Sequence, residues 1–262
     1  MKNKVILISI DGMRPDGLLQ CGNPFVEELM KKGAYTLEGS SVNPSVTLPC
    51  HMSIFHSVTP ERHGMLTNEY VPMVRPINSL FKQISNAGGR SAMYYGWEPM
   101  RDVSRPGYLK HAEFIWAYSE DNTDRLLTES AVTYIKKHKP DFVFLYMVET
   151  DEKGGHDNGW MSEKYLQCIH DAIDNVKHVL EEAGDEYTVI VTADHGGHDR
   201  THGTEMPEDM TIPMFFVGPD FEPGKKLECI SLLDIAPTIA EIMDVPVPRE
   251  WEGRSVAEIL EK

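Results

Sequence analysis

The apolar run 187–193, Tyr-Thr-Val-Ile-Val-Thr-Ala, closes abruptly on Asp194 and His195, and His202 follows seven residues later. A short continuous run rich in β-branched residues reads as a strand buried on both faces. Charged side chains just beyond its carboxyl end stand where open α/β sheets place their ligands. The feature recurs. The run 4–10 ends at Asp11, the run 142–148 leads to Asp151 and His156, and Thr47 stands in a loop ahead of a short helix. Carboxylate oxygen and imidazole nitrogen presented together suit a divalent cation. The pattern argues for a metal centre.

Strand-like runs at 4–10, 35–40, 91–96, 142–148, 187–193 and 213–217 alternate with helical patterns. The helices are expected at 24–32, 76–87, 123–138, 161–183, 232–243 and 254–261. That alternation predicts an α/β fold, a three-layer sandwich with a central, largely parallel sheet flanked by helices. Pro76 and Gly88 bracket one helix in the usual sense, and Gly184 ends another. Pro237 moves the start of the 232–243 helix towards Ala236. No stretch rich in Pro, Gly or Ser marks a boundary, so 1–262 is expected to form one catalytic domain. The segment 94–120 gathers Tyr94, Tyr95, Trp97, Tyr108, Phe114, Trp116 and Tyr118 among Pro, Arg and Gly. It reads either as a pocket wall or as a packed connection.

Composition narrows the partners. A formal charge of −16 argues against a nucleic acid polymer, whose binding requires basic surface. The same charge fits a site made locally positive by bound cations. No apolar stretch reaches the ~20 residues that span a bilayer, so no membrane partner is expected. Reading residues 1–10 as a signal peptide would give too short an apolar region and remove Asp11, so a cytoplasmic location is expected. Cys21, Cys50, Cys168 and Cys229 are widely spaced and expected to be reduced thiols. Oligomeric state is not legible.

Residues 43–51 form a loop that enters a helix expected over 50–56. Thr47 lies ahead of it, where unpaired N–H groups and the helix dipole favour an anion. Its hydroxyl is either a helix cap or, beside a metal, an activated nucleophile.

The ordered motifs Asp11-Gly12-Met13-Arg14, Pro44-Ser45-Val46-Thr47-Leu48-Pro49-Cys50-His51, Glu61-Arg62-His63-Gly64, Asp151 with His156, Asp194-His195-Gly196 and His202-Gly203 resemble those of the alkaline phosphatase superfamily. Within it they look closest to the nucleotide pyrophosphatase/phosphodiesterase (type I phosphodiesterase) family. The likeness continues through Pro76-Ile77, Gly96-Trp97-Glu98-Pro99 and Pro140-Asp141-Phe142, and so covers most of the chain. The resemblance implies two divalent ions, zinc by preference and manganese as the alternative, bridged by a small-molecule phosphate ester. It places Asp11, Thr47, Asp194 and His195 at one metal and Asp151, His156 and His202 at the other. It also implies that Thr47 forms a phosphothreonine intermediate and that Asn68 donates to a phosphoryl oxygen. Hydrolysis of phosphodiester or pyrophosphate bonds is the activity implied. A phosphomonoesterase, phosphonate hydrolase or phosphotransferase of the superfamily is the alternative, and a non-catalytic metal-binding domain a third.

The chain departs from the family pattern in places. The Asp151–His156 interval is one residue longer than usual there, so the loop through Lys153-Gly154-Gly155 must bulge. Leu48 stands where nucleotide-cleaving members often carry an aromatic, and the secretion signal common in the family is not expected here. His51, His56 and His63 read as structural hydrogen-bonders and Cys50 as a buried helix residue. His198 and Arg14 are open: each could touch metal or phosphate, or serve a local pair.

Overall fold

Three runs with no polar alternation sit side by side, because a strand that is apolar on both faces must be covered on both. The computed structural model describes residues 3–257. Its seven strands are β1 (Lys4–Ile10), β2 (Ala34–Ser40), β3 (Ser91–Tyr95), β4 (Leu109–Phe114), β5 (Phe142–Met147), β6 (Tyr187–Thr192) and β7 (Thr211–Val217). They form one sheet in the order β2-β7-β6-β1-β5-β3-β4. The five strands from β6 to β4 are parallel, and β7 alone runs the other way.

The predominantly apolar strands β5, β1 and β6 occupy the centre, and every residue of β5 and β6 is buried. In register, Ile10 is level with Met147, and Ser9 with Thr192. The three carboxyl ends therefore finish together, and Asp11 N–H donates to Met147 O at 2.9 Å. Helices Pro15–Gln20, Phe25–Lys32, Thr123–His138 and Glu163–Ala183 cover one face. Helices Thr47–His56, Leu80–Asn86 and Ile235–Met243 cover the other. This is the expected three-layer α/β sandwich.

Six strands coincide with the expected runs to within two residues. The seventh, β4, lies inside the aromatic segment 94–120. It is an edge strand whose residues alternate between half-buried and exposed, and its Lys, His and Glu mask the apolar signal. The segment divides accordingly: Tyr94 is core, while Trp116 and Tyr118 are exposed.

The helix expected at 76–87 begins only at Leu80, where the Ser79 hydroxyl accepts from Lys82 N–H. Pro237 falls in the first turn of Ile235–Met243, after a 3₁₀ turn over Leu232–Asp234. The short helix Pro15–Gln20 was not expected. The expected 254–261 helix reaches outside the described residues, and Arg254 and Ser255 within them are not helical.

Between sheet and helices, Phe55 packs on Phe81 and Phe144 at centroid separations of 4.6 and 4.9 Å. Phe144 also lies 5.8 Å from His51, so this cluster backs directly onto the site. Phe144→Ala should destabilise the fold by about 3–5 kcal/mol, as measured by urea unfolding. A loss below about 1 kcal/mol would show that the cluster is not the packed support described.

Candidate metal centre and active site

Asp11 follows β1, Asp194 and His195 follow β6, and Asp151 lies four residues beyond β5. All four are buried. Asp11, Asp194 and His195 bring ligand atoms within 4.8 Å of one another, and so do Asp151, His195 and His202. His195 sits between the two groupings and stacks on His202 with ring centroids 3.8 Å apart. Its Nε2 lies 3.3 Å from Asp11 Oδ1 and 3.4 Å from Asp194 Oδ2, which joins it to the first grouping. His202 Nε2 approaches Asp151 Oδ1 at 3.9 Å, and His156 Nε2 approaches Asp151 Oδ2 at 3.4 Å. Thus His156 joins the second grouping from its exposed side.

Each imidazole has one nitrogen occupied. His195 Nδ1–H donates to Gly196 O at 2.7 Å, His202 Nδ1–H to Ser45 O at 2.8 Å and His156 Nδ1–H to Arg200 O at 3.0 Å. That leaves all three Nε2 lone pairs turned towards the carboxylates, the tautomer a metal ligand needs.

The oxygens match. Asp11 Oδ1, Asp151 Oδ1 and Asp194 Oδ2 are buried without a hydrogen-bond partner. Unsatisfied buried carboxylate oxygens are costly, and a shared cation is what satisfies them. Burial, then the charge of Asp194, pushes the Asp11 and Asp151 carboxyls well above the usual range. Burial also acts to raise Asp194, but His195 and His51 together with hydrogen bonds from Asp11 and Gly12 N–H hold that carboxyl below its ordinary value. Burial pushes His202 down to about 3, so its nitrogen is unprotonated at neutral pH. The donor set therefore fits two divalent cations.

Thr47 opens a ten-residue helix whose every residue is buried. Its hydroxyl lies 3.2 Å from His195 Nε2 and makes no side-chain cap bond; the N-cap residue is Val46. The helix-cap reading of Thr47 is thus set aside. Asn68 Oδ1 accepts Leu48 N–H at 3.0 Å, which holds this side chain beside Thr47.

The extra residue between Asp151 and His156 is taken up by a π-helical turn over Thr150–His156. Such turns absorb one residue within helical structure and cluster at functional sites.

Trp160 was not anticipated. Its Nε1–H donates to Gly12 O at 3.0 Å, and its ring packs against His156 and His202. A Cβ on Gly155 would lie 2.6 Å from the indole, and Gly197 abuts the same ring. Gly12 has φ +68°, and a Cβ there would lie 2.9 Å from Asp151 Oδ1. One indole thus touches glycines from all three ligand-bearing segments. The glycines next to each ligand were the only trace of it in the sequence.

The remaining residues serve local roles. His198 Nδ1–H donates to Asp209 at 2.8 Å. Arg14 pairs with Asp16 and donates to Gly197 O at 3.0 Å, and Lys153 pairs with Glu149 at 2.6 Å. His51 bridges Thr47 O and Ser9 Oγ, 3.5 Å from Asp194. Burial lowers both His56 and His63 to about 4, and each is hydrogen-bonded within its own region. Cys50 is buried with its thiol pushed well up by burial.

The family profile of type I phosphodiesterase / nucleotide pyrophosphatase matches residues 5–208. The chain belongs to that family. Human ectonucleotide pyrophosphatase/phosphodiesterase family member 1 is 26% identical over 219 residues, covering 73% of this chain and 23% of the relative. The bis(5′-adenosyl)-triphosphatase of Bos taurus is 25% identical, covering 74% and 47%. The chain spans only about a quarter to a third of the first curated relatives it matches. Murine ectonucleotide pyrophosphatase/phosphodiesterase 5 shares the fold at a TM-score of 0.80 with 16% identity, covering 95% of this chain and 98% of that one. The phosphonate monoester hydrolase of Silicibacter pomeroyi does so at 0.74 with 15% identity, covering 98% and 76%.

Because Asp11 and Asp151 hold protons more tightly when folded than when unfolded, the metal-free fold loses stability as pH rises above the ordinary carboxylate range. Zn²⁺ bound at these carboxylates would displace those protons. The Tm increment it produces should therefore grow between about pH 5 and 8, with proton release on binding. An increment that shrinks with pH would contradict the assignment. His202→Ala should lower metal occupancy, by elemental analysis, more than His198→Ala; the reverse order would remove His202 from the ligand set.

Proposed function

We propose that this protein hydrolyses phosphodiester or pyrophosphate bonds of small molecules, using Thr47 as nucleophile beside two divalent cations, zinc by preference. The observation that carries this reading is the convergence of three unpartnered carboxylate oxygens and three imidazole Nε2 atoms, that of His195 lying 3.2 Å from the Thr47 hydroxyl at a helix N-terminus. Asp11, Asp194, His195 and Thr47 would hold one cation, and Asp151, His156 and His202 the other. Bound there, the cations supply charge that stabilises the attacking and leaving oxygens of an in-line displacement.

Thr47 Oγ1 attacks phosphorus and gives its proton up to solvent, from which the leaving oxygen takes one. The new Oγ1–P bond forms as the bond to the leaving oxygen breaks, which leaves phosphothreonine. Water then attacks phosphorus, the Oγ1–P bond breaks, and Thr47 is regenerated. Helix N–H groups behind Thr47 favour the anion that develops there. With its oxygen engaged by Leu48 N–H, Asn68 presents its NH₂ as a donor to a phosphoryl oxygen. An inactive threonine-to-alanine form of the murine structural neighbour has been solved with AMP, which supports a threonine nucleophile and a nucleotide-derived substrate. Tyr118, at the end of 94–120, donates to Glu152 of the π-helical turn at 2.6 Å, which supports that segment as part of the pocket wall.

A dianionic monoester needs more positive charge than a diester. Both basic side chains open to that role, Arg14 and Lys153, are engaged in ion pairs. Diesters should therefore be turned over with higher kcat/KM than monoesters of the same leaving group. A tenfold preference for monoesters, about 1.4 kcal/mol of transition-state stabilisation, would favour the phosphomonoesterase reading instead.

Thr47→Ala should reduce kcat by several orders of magnitude with metal content and fold retained, and Thr47→Ser should keep substantial activity. Steady-state and single-turnover kinetics on an aryl phosphate diester test this. Near-normal turnover by Thr47→Ala would leave direct attack by water as the mechanism.

A further inference from the structure

His202 lies towards the end of the loop 194–204, and no strand or helix fixes it. A short bridge between His198 and Thr201 closes the loop on one side. What anchors the rest is the turn Pro207–Met210, which antiparallel β7 brings to the carboxyl edge of the parallel strands. There Asp209 is wholly buried. Its Oδ1 accepts His198 Nδ1–H at 2.8 Å, and its Oδ2 accepts Thr204 N–H at 2.9 Å and Thr204 Oγ1–H at 2.7 Å. One carboxylate thus grips the loop on both sides of His202. The backbone adds to the grip, since Gly196 N–H donates to Asp209 O and Gly197 N–H to Glu208 O. Thr204 O in turn accepts from Ser45 Oγ–H at 2.8 Å, and Ser45 O receives His202 Nδ1–H.

We infer that Asp209 is a positioning residue that sets His202 at the second cation site by pinning His198 and Thr204. His198 is its latch and not a ligand. This inference rests on the two-cation reading above. Burial alone would raise the Asp209 carboxyl, but the bonds from His198 and Thr204 hold it below its ordinary value, so the grip is that of a carboxylate. Charge-assisted bonds of this kind are the stronger class. Groups that orient metal-bound histidines affect affinity by roughly 10–100-fold.

The test is Zn²⁺ titration of the full metal-stripped chain against a chromophoric chelator, comparing wild type with Asp209→Asn, Asp209→Ala and His198→Ala. Wild type should take up two ions; failure to do so overturns the metal reading and this inference with it. Asp209→Asn keeps one acceptor oxygen, so it should weaken one ion about tenfold or more and leave the other within about twofold. Asp209→Ala should weaken that ion further and His198→Ala less. With Co²⁺ in place of Zn²⁺, the visible bands of one ion should change and those of the other should not. Excess Zn²⁺ should restore most of the kcat of Asp209→Asn. If Asp209→Ala does not fold, Asp209→Asn and His198→Ala decide. Two ions weakened equally, or neither weakened, in a variant with wild-type circular dichroism would overturn the positioning role while leaving the two-cation reading intact.

Discussion

Three carboxylates buried at the ends of three adjacent parallel strands are the constraint on which the rest of this structure depends. Asp11, Asp151 and Asp194 each keep an oxygen without a partner. Repulsion among them and loss of water both oppose ionisation, and in Asp11 and Asp151 these effects prevail. A fold that carries such a cluster needs rigid backing, because any relaxation that let water in would dissolve the arrangement. The backing comes from the apolar centre of the sheet. β1, β5 and β6 are buried along nearly their whole length, so their ends are fixed relative to one another by backbone ladders.

Close approach then dictates small residues. Gly12 allows Asp151 to sit beside the turn after β1, and Gly155 and Gly197 let the ligand loops close on Trp160. The indole is wide enough to touch both imidazoles of the second grouping, and its one N–H is spent on Gly12 O. The π-helical turn solves a related problem. It lets Asp151 and His156 face the same point despite the added residue, since a π turn shifts the later residues round the axis.

Much of this was legible in the sequence because strand and ligand are adjacent there. Asp11 and Asp194 follow their strands at once, so an apolar run and its terminal acid identify both element and site. The same logic reached Asp151 and His156, where glycines signalled the bulge without showing its π-helical form. Legibility failed where the cause is tertiary. β4 has no apolar stripe because it lies at an edge, and Ser79 rather than Pro76 sets the start of the helix Leu80–Asn86. Trp160 and Asp209 carry no motif. Each matters through residues that approach it from distant segments, and sequence separation hides that approach.

Where the site can yield follows from burial. Thr47 stands on a helix buried all round, and a helix of that kind has no solvent face along which to slide. His51 ties its first carbonyl to β1 through Ser9, so Thr47 and the sheet move together. His195 is fully buried, and His202 is nearly so. His156, by contrast, has a side chain 36% exposed, on a turn whose outer contacts are surface side chains such as Tyr118. The rigid half of the site thus carries Thr47 and the first grouping, and the half that includes His156 faces solvent. A small molecule entering from that side would meet His156 first and the buried Thr47 last.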